Sequence, residues 1–281
     1  MFEPHQYQLL DFGFGKKWET FAGVDVVRSC PAADGISPAG EFQFSNRSDV
    51  AIFEKRDKAW RNRGAIPADW TLSHGEMRFN LRPTPFGHLG VFCEQVLNWD
   101  WISDLPGDLS GLKALNLFAY TGGTTIALAL RGANVVHVDS AKNVVGWARE
   151  NAKSSGLEQA PIRWIVDDAV KFLEREVRRG NKYDILVADP PAIGHAGKKL
   201  TWKFDRDMDR LTQLLAQVAS DKLRLVLLSC HTIGFDSSDL RRLLEQQFAS
   251  GLPEHVETGL MDLESQFGDS LNNGHFCRYH S

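Results

Sequence analysis

From residue 113 to residue 249 short apolar runs alternate with amphipathic stretches five times over, and this alternation restricts the chain more than any other feature. The runs are KALNLF (113–118), NVVHVD (134–139), IRWIV (162–166), YDILVAD (183–189) and LRLVLLS (223–229). Segments of helical periodicity follow them at 123–131, 141–155, 168–179, about 203–220 and 236–249. A strand that is apolar along its whole length is covered on both faces, and an intervening helix returns the next strand parallel to the last. The pattern predicts an α/β fold with a doubly wound, Rossmann-like sheet. Two more strand candidates, HVETGLMDLES and GHFCRYHS, flank a Gly/Asn/Asp-rich loop and predict an antiparallel pair that brings the sheet to seven strands. Before residue 85 the chain is broken into short aromatic and β-branched pieces such as FAGVDVVRSC and EMRFNLRPTPFG. Residues 1–85 therefore read as a small β-rich domain and residues 86–281 as the domain that holds the sheet.

In an open parallel sheet a ligand sits beyond the carboxyl ends of the strands, where the strand order reverses. The first such end runs LNLFAYTGGTT, in which Gly122 and Gly123 remove the Cβ that would hold a ligand away from the backbone. A glycine pair before a helix is also an ordinary tight connection. Asp139 closes the second strand, where a carboxylate can accept hydrogen bonds from both hydroxyls of a ribose. Asp168 follows the third, placed to meet an adenine edge or to cap the next helix. Asp189-Pro190-Pro191 follows the fourth, and the prolines stiffen the chain that carries the acid. The turn is not G-x-G-x-x-G and the chain contains no G-x-x-x-x-G-K-[ST], which disfavours a dinucleotide or a triphosphate.

No apolar run approaches the roughly 20 residues of a membrane helix, and the N-terminus MFEPHQYQLLDFGFGKKW is not a signal peptide, so a cytoplasmic location is expected. Cys30, Cys93, Cys230 and Cys277 are scattered without metal-ligand spacing, and they read as reduced thiols with no metal site. A formal charge of −4 argues against a surface that grips nucleic acid everywhere, although EKRDKAWRNRG (54–64) is a local basic cluster around Trp60. Its mixed signs read first as a solvated helix or turn.

The pieces NLFAYTGG, VDS before NVVGWARENAKSSGL, RWIVDDAVKFL and YDILVADPPAIG occur in an order that resembles the class I S-adenosylmethionine-dependent methyltransferases. Within them the likeness is to the branch related to bacterial large-subunit ribosomal RNA (cytosine-5) methyltransferases. It covers residues 86–281 and implies S-adenosyl-L-methionine as cofactor and structured RNA as substrate. An antiparallel edge after five parallel strands fits the same family. The resemblance further implies that Asp139 binds the ribose, Asp168 the adenine side and the turn from Phe118 through Tyr120 to Gly122 the methionine portion. Asp189 and Pro190 would stand at the mouth of the transfer site. Upstream, FGHLGVFCEQVLNW resembles the segment that lines the cofactor pocket, with Gly90, Phe92, Glu94 and Gln95 as its lining residues.

Methylation of a pyrimidine at carbon 5 needs a nucleophile that first adds to carbon 6, a role that suits a thiolate. The fifth strand ends in LLSCHT, and the cytosine-5 enzymes carry a Ser-Cys at the corresponding place, so the resemblance implies Cys230 as nucleophile with Asp189 or His231 as base. A buried structural thiol is the other reading of Cys230. Amine methylases carry an aromatic residue after the two prolines, where this chain has Ala192. The following AIGHAGKKLTWK reads as a mobile loop in which Lys198, Lys199, Trp202 and Lys203 suit a phosphate backbone and a stacked base. A small molecule or a protein side chain is the alternative substrate, and a non-catalytic RNA-binding protein with a cofactor fold is the remote one.

Overall fold

The computed structural model describes residues 1–40, 47–196, 199–232, 234–249 and 251–281, with backbone alone at 195–196 and 199–201. The chain forms two compact units, one comprising residues 1–100 with 262–273, the other residues 101–261 with 274–281.

In the N-terminal unit, strands β1 (Tyr7–Gly13), β2 (Lys16–Phe21), β3 (Val24–Ser29), β4 (Ala51–Glu54) and β5 (Ala59–Arg61) form a sheet in that order. All neighbours are antiparallel except β3 and β4. A separate hairpin pairs β6 (Thr71–His74) with β7 (Met77–Asn80). Phe21, Val27, Ile52, Leu72 and Phe79 are sealed from solvent, and each such side chain contributes roughly 1.5–3 kcal/mol of hydrophobic stabilisation. Beside this apolar core lies a charged one, because Glu19 is completely buried with Lys17 and Arg28. Helix α1 (Val96–Asp104) follows.

The second unit contains β8 (Lys113–Leu117), α2 (Gly123–Leu130), β9 (Asn134–Asp139), α3 (Lys142–Ser154), β10 (Ile162–Val166), α4 (Ala169–Arg179) and β11 (Ile185–Ala188). After these come β12 (Ile193–Ala196), β13 (Lys199–Lys203), α5 (Phe204–Val218), β14 (Leu225–Cys230), α6 (Ser237–Phe248), and β15 (His255–Glu264) and β16 (Ser270–His280), whose residues 262–264 and 270–273 belong to the first unit. The seven-stranded sheet runs β10-β9-β8-β11-β14-β16-β15, parallel through β14 and antiparallel between β14 and β16. The expected fold is present, and the five parallel strands and their helices lie within two residues of the bounds read from the sequence. The reason is chemical: a doubly covered strand must be apolar throughout, and its ends are polar because they leave the core.

On one face of the sheet Leu115, Leu117, Leu186, Ala188, Val226 and Leu228 pack against residues of α4, α5 and α6, including Phe172, Leu173, Leu211, Leu215, Leu240 and Leu244. The helix starts are chosen by their caps. Asp236 accepts from the N–H groups of Ser238 and Asp239, and Asp239 returns a bond to the Asp236 N–H, which fixes the start of α6. The segment after the prolines departs from expectation, since β12 and β13 pair as an antiparallel hairpin where a mobile loop was expected. Lys198 lies outside the described residues. Among the described residues no helix is long and apolar enough to cross a membrane, and no group of three or more His, Cys, Asp or Glu is arranged to hold a metal ion.

Candidate active site

The strand order reverses between β8 and β11, since β9 and β10 lie to one side of β8 while β11 and β14 lie to the other. The crevice at their carboxyl ends is thus the switch point at which this architecture holds a ligand. Beyond β8 the backbone takes left-handed angles at Phe118 (φ 53°), Tyr120 (φ 47°) and Gly122 (φ 90°). Glycine adopts such a conformation freely, whereas each of the two aromatic residues costs of the order of 1 kcal/mol or more. A Cβ at position 122 would also lie 3.2 Å from that of Ala148 on α3.

Asp139 holds this strained turn. Its Oδ2 accepts from the Tyr120 N–H at 3.0 Å and its Oδ1 from the Ala141 N–H at 2.9 Å. Asn151 adds a bond from its Nδ2 to the Thr121 carbonyl at 3.0 Å. Burial raises the Asp139 carboxyl above the ordinary aspartate range, against the pull of the backbone N–H groups of Ala141, Tyr120 and Ser140.

Sequence reasoning missed what lies beneath the turn. Asn116 Nδ2 donates to Thr125 Oγ1 at 2.9 Å, and Thr125 Oγ1 lies 2.9 Å from Nδ1 of His137. All three are buried, so β8, α2 and β9 are tied together directly under the ligand end. The available signal was a histidine inside the apolar run NVVHVD. Burial pushes the His137 pKa down to about 3. An imidazole that titrates at 6.5 when unfolded and near 3 when folded gives its full stabilisation above pH 6.5 and loses it as the pH falls below that value. The expected loss is up to about 1.4 kcal/mol per pH unit. Urea midpoints measured from about pH 7 to pH 5 should fall more steeply for the wild type than for His137→Gln, and parallel pH profiles would contradict this assignment.

Asp168 is the N-cap of α4, with its Oδ1 accepting from the Lys171 N–H at 3.0 Å. The capping reading therefore describes this oxygen. Asp189, at the end of β11, accepts a hydrogen bond from Ser229 Oγ at 2.6 Å, and Nε2 of His231 lies 3.6 Å from the same carboxylate oxygen. The Asp189 side chain retains 28 % of its exposure. Gly274 of β16 makes room here, because a Cβ at that position would lie 2.5 Å from the Cys230 carbonyl oxygen and 3.0 Å from His231 Nδ1.

Two expectations meet a different geometry. Trp202 is 3 % exposed, donates from Nε1 to the Pro191 carbonyl at 2.6 Å and stands 4.9 Å from the Phe118 ring. It joins the proline segment to the glycine turn from below and has no free face for a base. Cys230 is fully buried in the core cluster with Val226 and Leu228. Side chains alternate along a strand, so Ser229 faces Asp189 while Cys230 faces the helices. Burial pushes the Cys230 thiol up to about 11, leaving little thiolate near neutrality.

Phe118, Tyr120, Gly122, Asp139, Asp189 and Pro190 thus belong to adjoining strand ends linked by the hydrogen bonds and ring packing just described. Phe92 and Gln95 belong to the N-terminal unit, where Asn98 Nδ2 donates to Gln95 Oε1 at 2.8 Å and Phe92 lies 5.3 Å from the His88 ring.

The model of the S-adenosylmethionine-dependent methyltransferases matches residues 52–242. The crystal structure of the SAM-dependent methyltransferase from Agrobacterium tumefaciens is similar, with 32% identity and a TM-score of 0.86 over 98% of this chain and 90% of that one. Ribosomal RNA large subunit methyltransferase K/L of Shewanella baltica is 28% identical over 198 residues, covering 69% of this chain and 26% of its own length. Ribosomal RNA large subunit methyltransferase I of Aeromonas salmonicida is 29% identical over 165 residues, covering 54% of this chain and 41% of its own length. The chain therefore spans less than half the length of these curated relatives.

Proposed function

The chain belongs to the S-adenosylmethionine-dependent methyltransferases, and on that premise we propose that it methylates a base of large-subunit ribosomal RNA in the cytoplasm. The supporting observation is the meeting of the Phe118–Gly122 turn, Asp139 and Asp189 at the reversal of strand order. The names of the curated relatives favour RNA over a small molecule or a protein side chain. We take residues 86–281 as the methyltransferase module and residues 1–85 as a small β-rich domain ahead of it.

The residues fit the cofactor. Asp139 is an acceptor-only group at the position for a ribose, and glycine at 122 lets the turn take its left-handed angle against Ala148 of α3. Asp168 keeps its Oδ2 for the adenine side while Oδ1 caps α4. When bound, S-adenosylmethionine supplies a methyl group on a sulfonium, which needs an electron pair and no activating metal. Asp139→Ala should weaken its binding about 10- to 150-fold, the loss of charged hydrogen bonds worth about 1.5–3 kcal/mol. Unchanged affinity by calorimetry would remove Asp139 from the site.

The polar groups at the transfer end are Asp189, Ser229 and His231. Ser229 fixes one oxygen of Asp189, which leaves the carboxylate oriented to accept an N–H or O–H from the substrate atom. We infer a ring nitrogen of the base as acceptor, not the exocyclic amine that Ala192 disfavours, with its proton passing to Asp189 as the new bond forms and onward toward His231. Carbon-5 chemistry needs a thiolate in the crevice, and Cys230 faces the opposite side of the sheet. Cys230→Ala should therefore keep its rate within about threefold and lose only about 1 kcal/mol of stability to a small cavity. Abolished activity, or a covalent adduct between Cys230 and RNA containing 5-fluorocytidine, would restore the carbon-5 route.

A further inference from the structure

The basic cluster EKRDKAWRNRG takes no part in the crevice and lies wholly within the N-terminal unit. It folds as the β4–β5 hairpin and the turn that follows, with Lys55, Arg56, Lys58, Arg61 and Arg63 all exposed. Arg61 Nη2 lies 3.6 Å from Glu54, and among the described residues no ion pair engages the other four cations. On a chain of formal charge −4 this hairpin is a concentrated positive patch.

An aromatic ring stands beside it. Trp60 on β5 donates from Nε1 to the Thr84 carbonyl at 2.8 Å and packs 5.4 Å from Phe53 on β4. That bond anchors a closed loop, in which Thr84 donates to the His88 carbonyl at 3.0 Å and Gly87 donates to that of Thr84 at 3.2 Å. Thr84 Oγ1 also accepts from the N–H groups of Phe86 at 3.4 Å and His88 at 3.1 Å. The fixed loop carries Phe86 at its tip with 73 % of the residue in solvent, the highest exposure of any large hydrophobic among the described residues. Charges on an edge strand such as β5 discourage pairing between sheets, but that need does not account for a large apolar ring held out beside them.

Resting on the RNA substrate proposed for the crevice, we propose that the β4–β5 hairpin and the Thr84–His88 loop form an RNA-docking surface. The cations take backbone phosphates and Phe86 stacks on an unpaired base. Ammonium and guanidinium groups supply affinity through counterion release, and an aromatic face accepts any base. The surface recognises single-stranded or looped RNA and does not read its sequence.

The test is fluorescence anisotropy with a fluorescein-labelled oligouridine of about 20 nucleotides, over about 50 to 300 mM salt. Every phosphate that a variant no longer neutralises should flatten the slope of log K against log salt by about 0.7. The triple variant K55A/R56A/K58A should flatten it by about 2, and Phe86→Ala should weaken binding about 5- to 100-fold. Both should keep wild-type affinity for S-adenosylhomocysteine and the wild-type thermal melt. Wild-type binding unchanged in both variants would overturn the docking surface and leave the RNA substrate standing. No binding of the wild type to RNA would overturn both. Tighter binding of polyglutamate than of RNA, lost in the triple variant, would reassign the surface to an acidic protein.

Discussion

Replacing Asp189 with alanine is expected to lower the rate of methyl transfer by about 10²- to 10⁴-fold, the usual contribution of a positioned proton acceptor. The carboxylate lies at the end of β11 with 28 % of its side chain exposed, and Ser229 and His231 lie against its Oδ1. Asp189→Asn keeps the shape and one acceptor, so it should retain more activity than alanine while losing the proton-accepting charge. Ser229→Ala should reduce the rate by a smaller factor, because it frees the carboxylate to rotate without removing it. Single-turnover measurements with saturating S-adenosylmethionine separate these effects from cofactor affinity. Equal rates for the wild type and Asp189→Ala would remove the carboxylate from the chemistry.

Replacing Glu19 with alanine is expected to destabilise the N-terminal unit by about 3–5 kcal/mol, because it strands two buried cations. Glu19 Oε1 accepts from Arg28 Nη2 at 2.8 Å, Tyr7 Oη at 3.0 Å and Lys17 Nζ at 3.1 Å, and its Oε2 accepts from Arg28 Nε at 2.7 Å. Burial alone would push the Glu19 carboxyl up, but Arg28 and Lys17 outweigh it and hold the group below its ordinary 4.5. A depressed carboxyl stabilises the fold above that value, and the contribution is lost as the pH falls below 4.5. The Lys17 ammonium is held above 10.5 by Glu19 despite its burial, so its contribution is lost only as the pH rises beyond that. Urea unfolding followed through Trp18 and Trp70 measures the loss. Changing Glu19, Lys17 and Arg28 together to Leu, Met and Met should recover most of it, since what costs energy is the unpaired charge. A wild-type midpoint for Glu19→Ala would contradict this account of the buried cluster.

Legibility in the sequence followed burial. The parallel strands and helices from 113 to 249 were readable because a strand covered on both faces needs a continuous apolar run and a covered helix needs a stripe. Asp139 and Asp189 were readable for the same reason, as the first polar residues after such runs. The orientation of Cys230 was not, because strand alternation turns on a single residue and nothing in LLSCHT says whether Ser229 or Cys230 faces the crevice. Trp202 sits in the lysine-bearing AGKKLTWK, whose polarity hides that its indole bonds Pro191 beneath the site. The Asn116–Thr125–His137 chain joins residues of three elements, and such an arrangement has no local pattern. Nor did local pattern show that residues 262–273, which follow the last helix, pack with residues 1–100.

Nucleoside mass spectrometry of large-subunit ribosomal RNA, from cells with and without the gene, tests the central claim most directly. One methylated nucleoside should disappear on deletion. Wild-type and Cys230→Ala chains should restore it and Asp189→Ala should not. Identical nucleoside profiles in the deleted and parent cells would contradict an RNA substrate, and restoration by Asp189→Ala but not by Cys230→Ala would contradict the proposed chemistry.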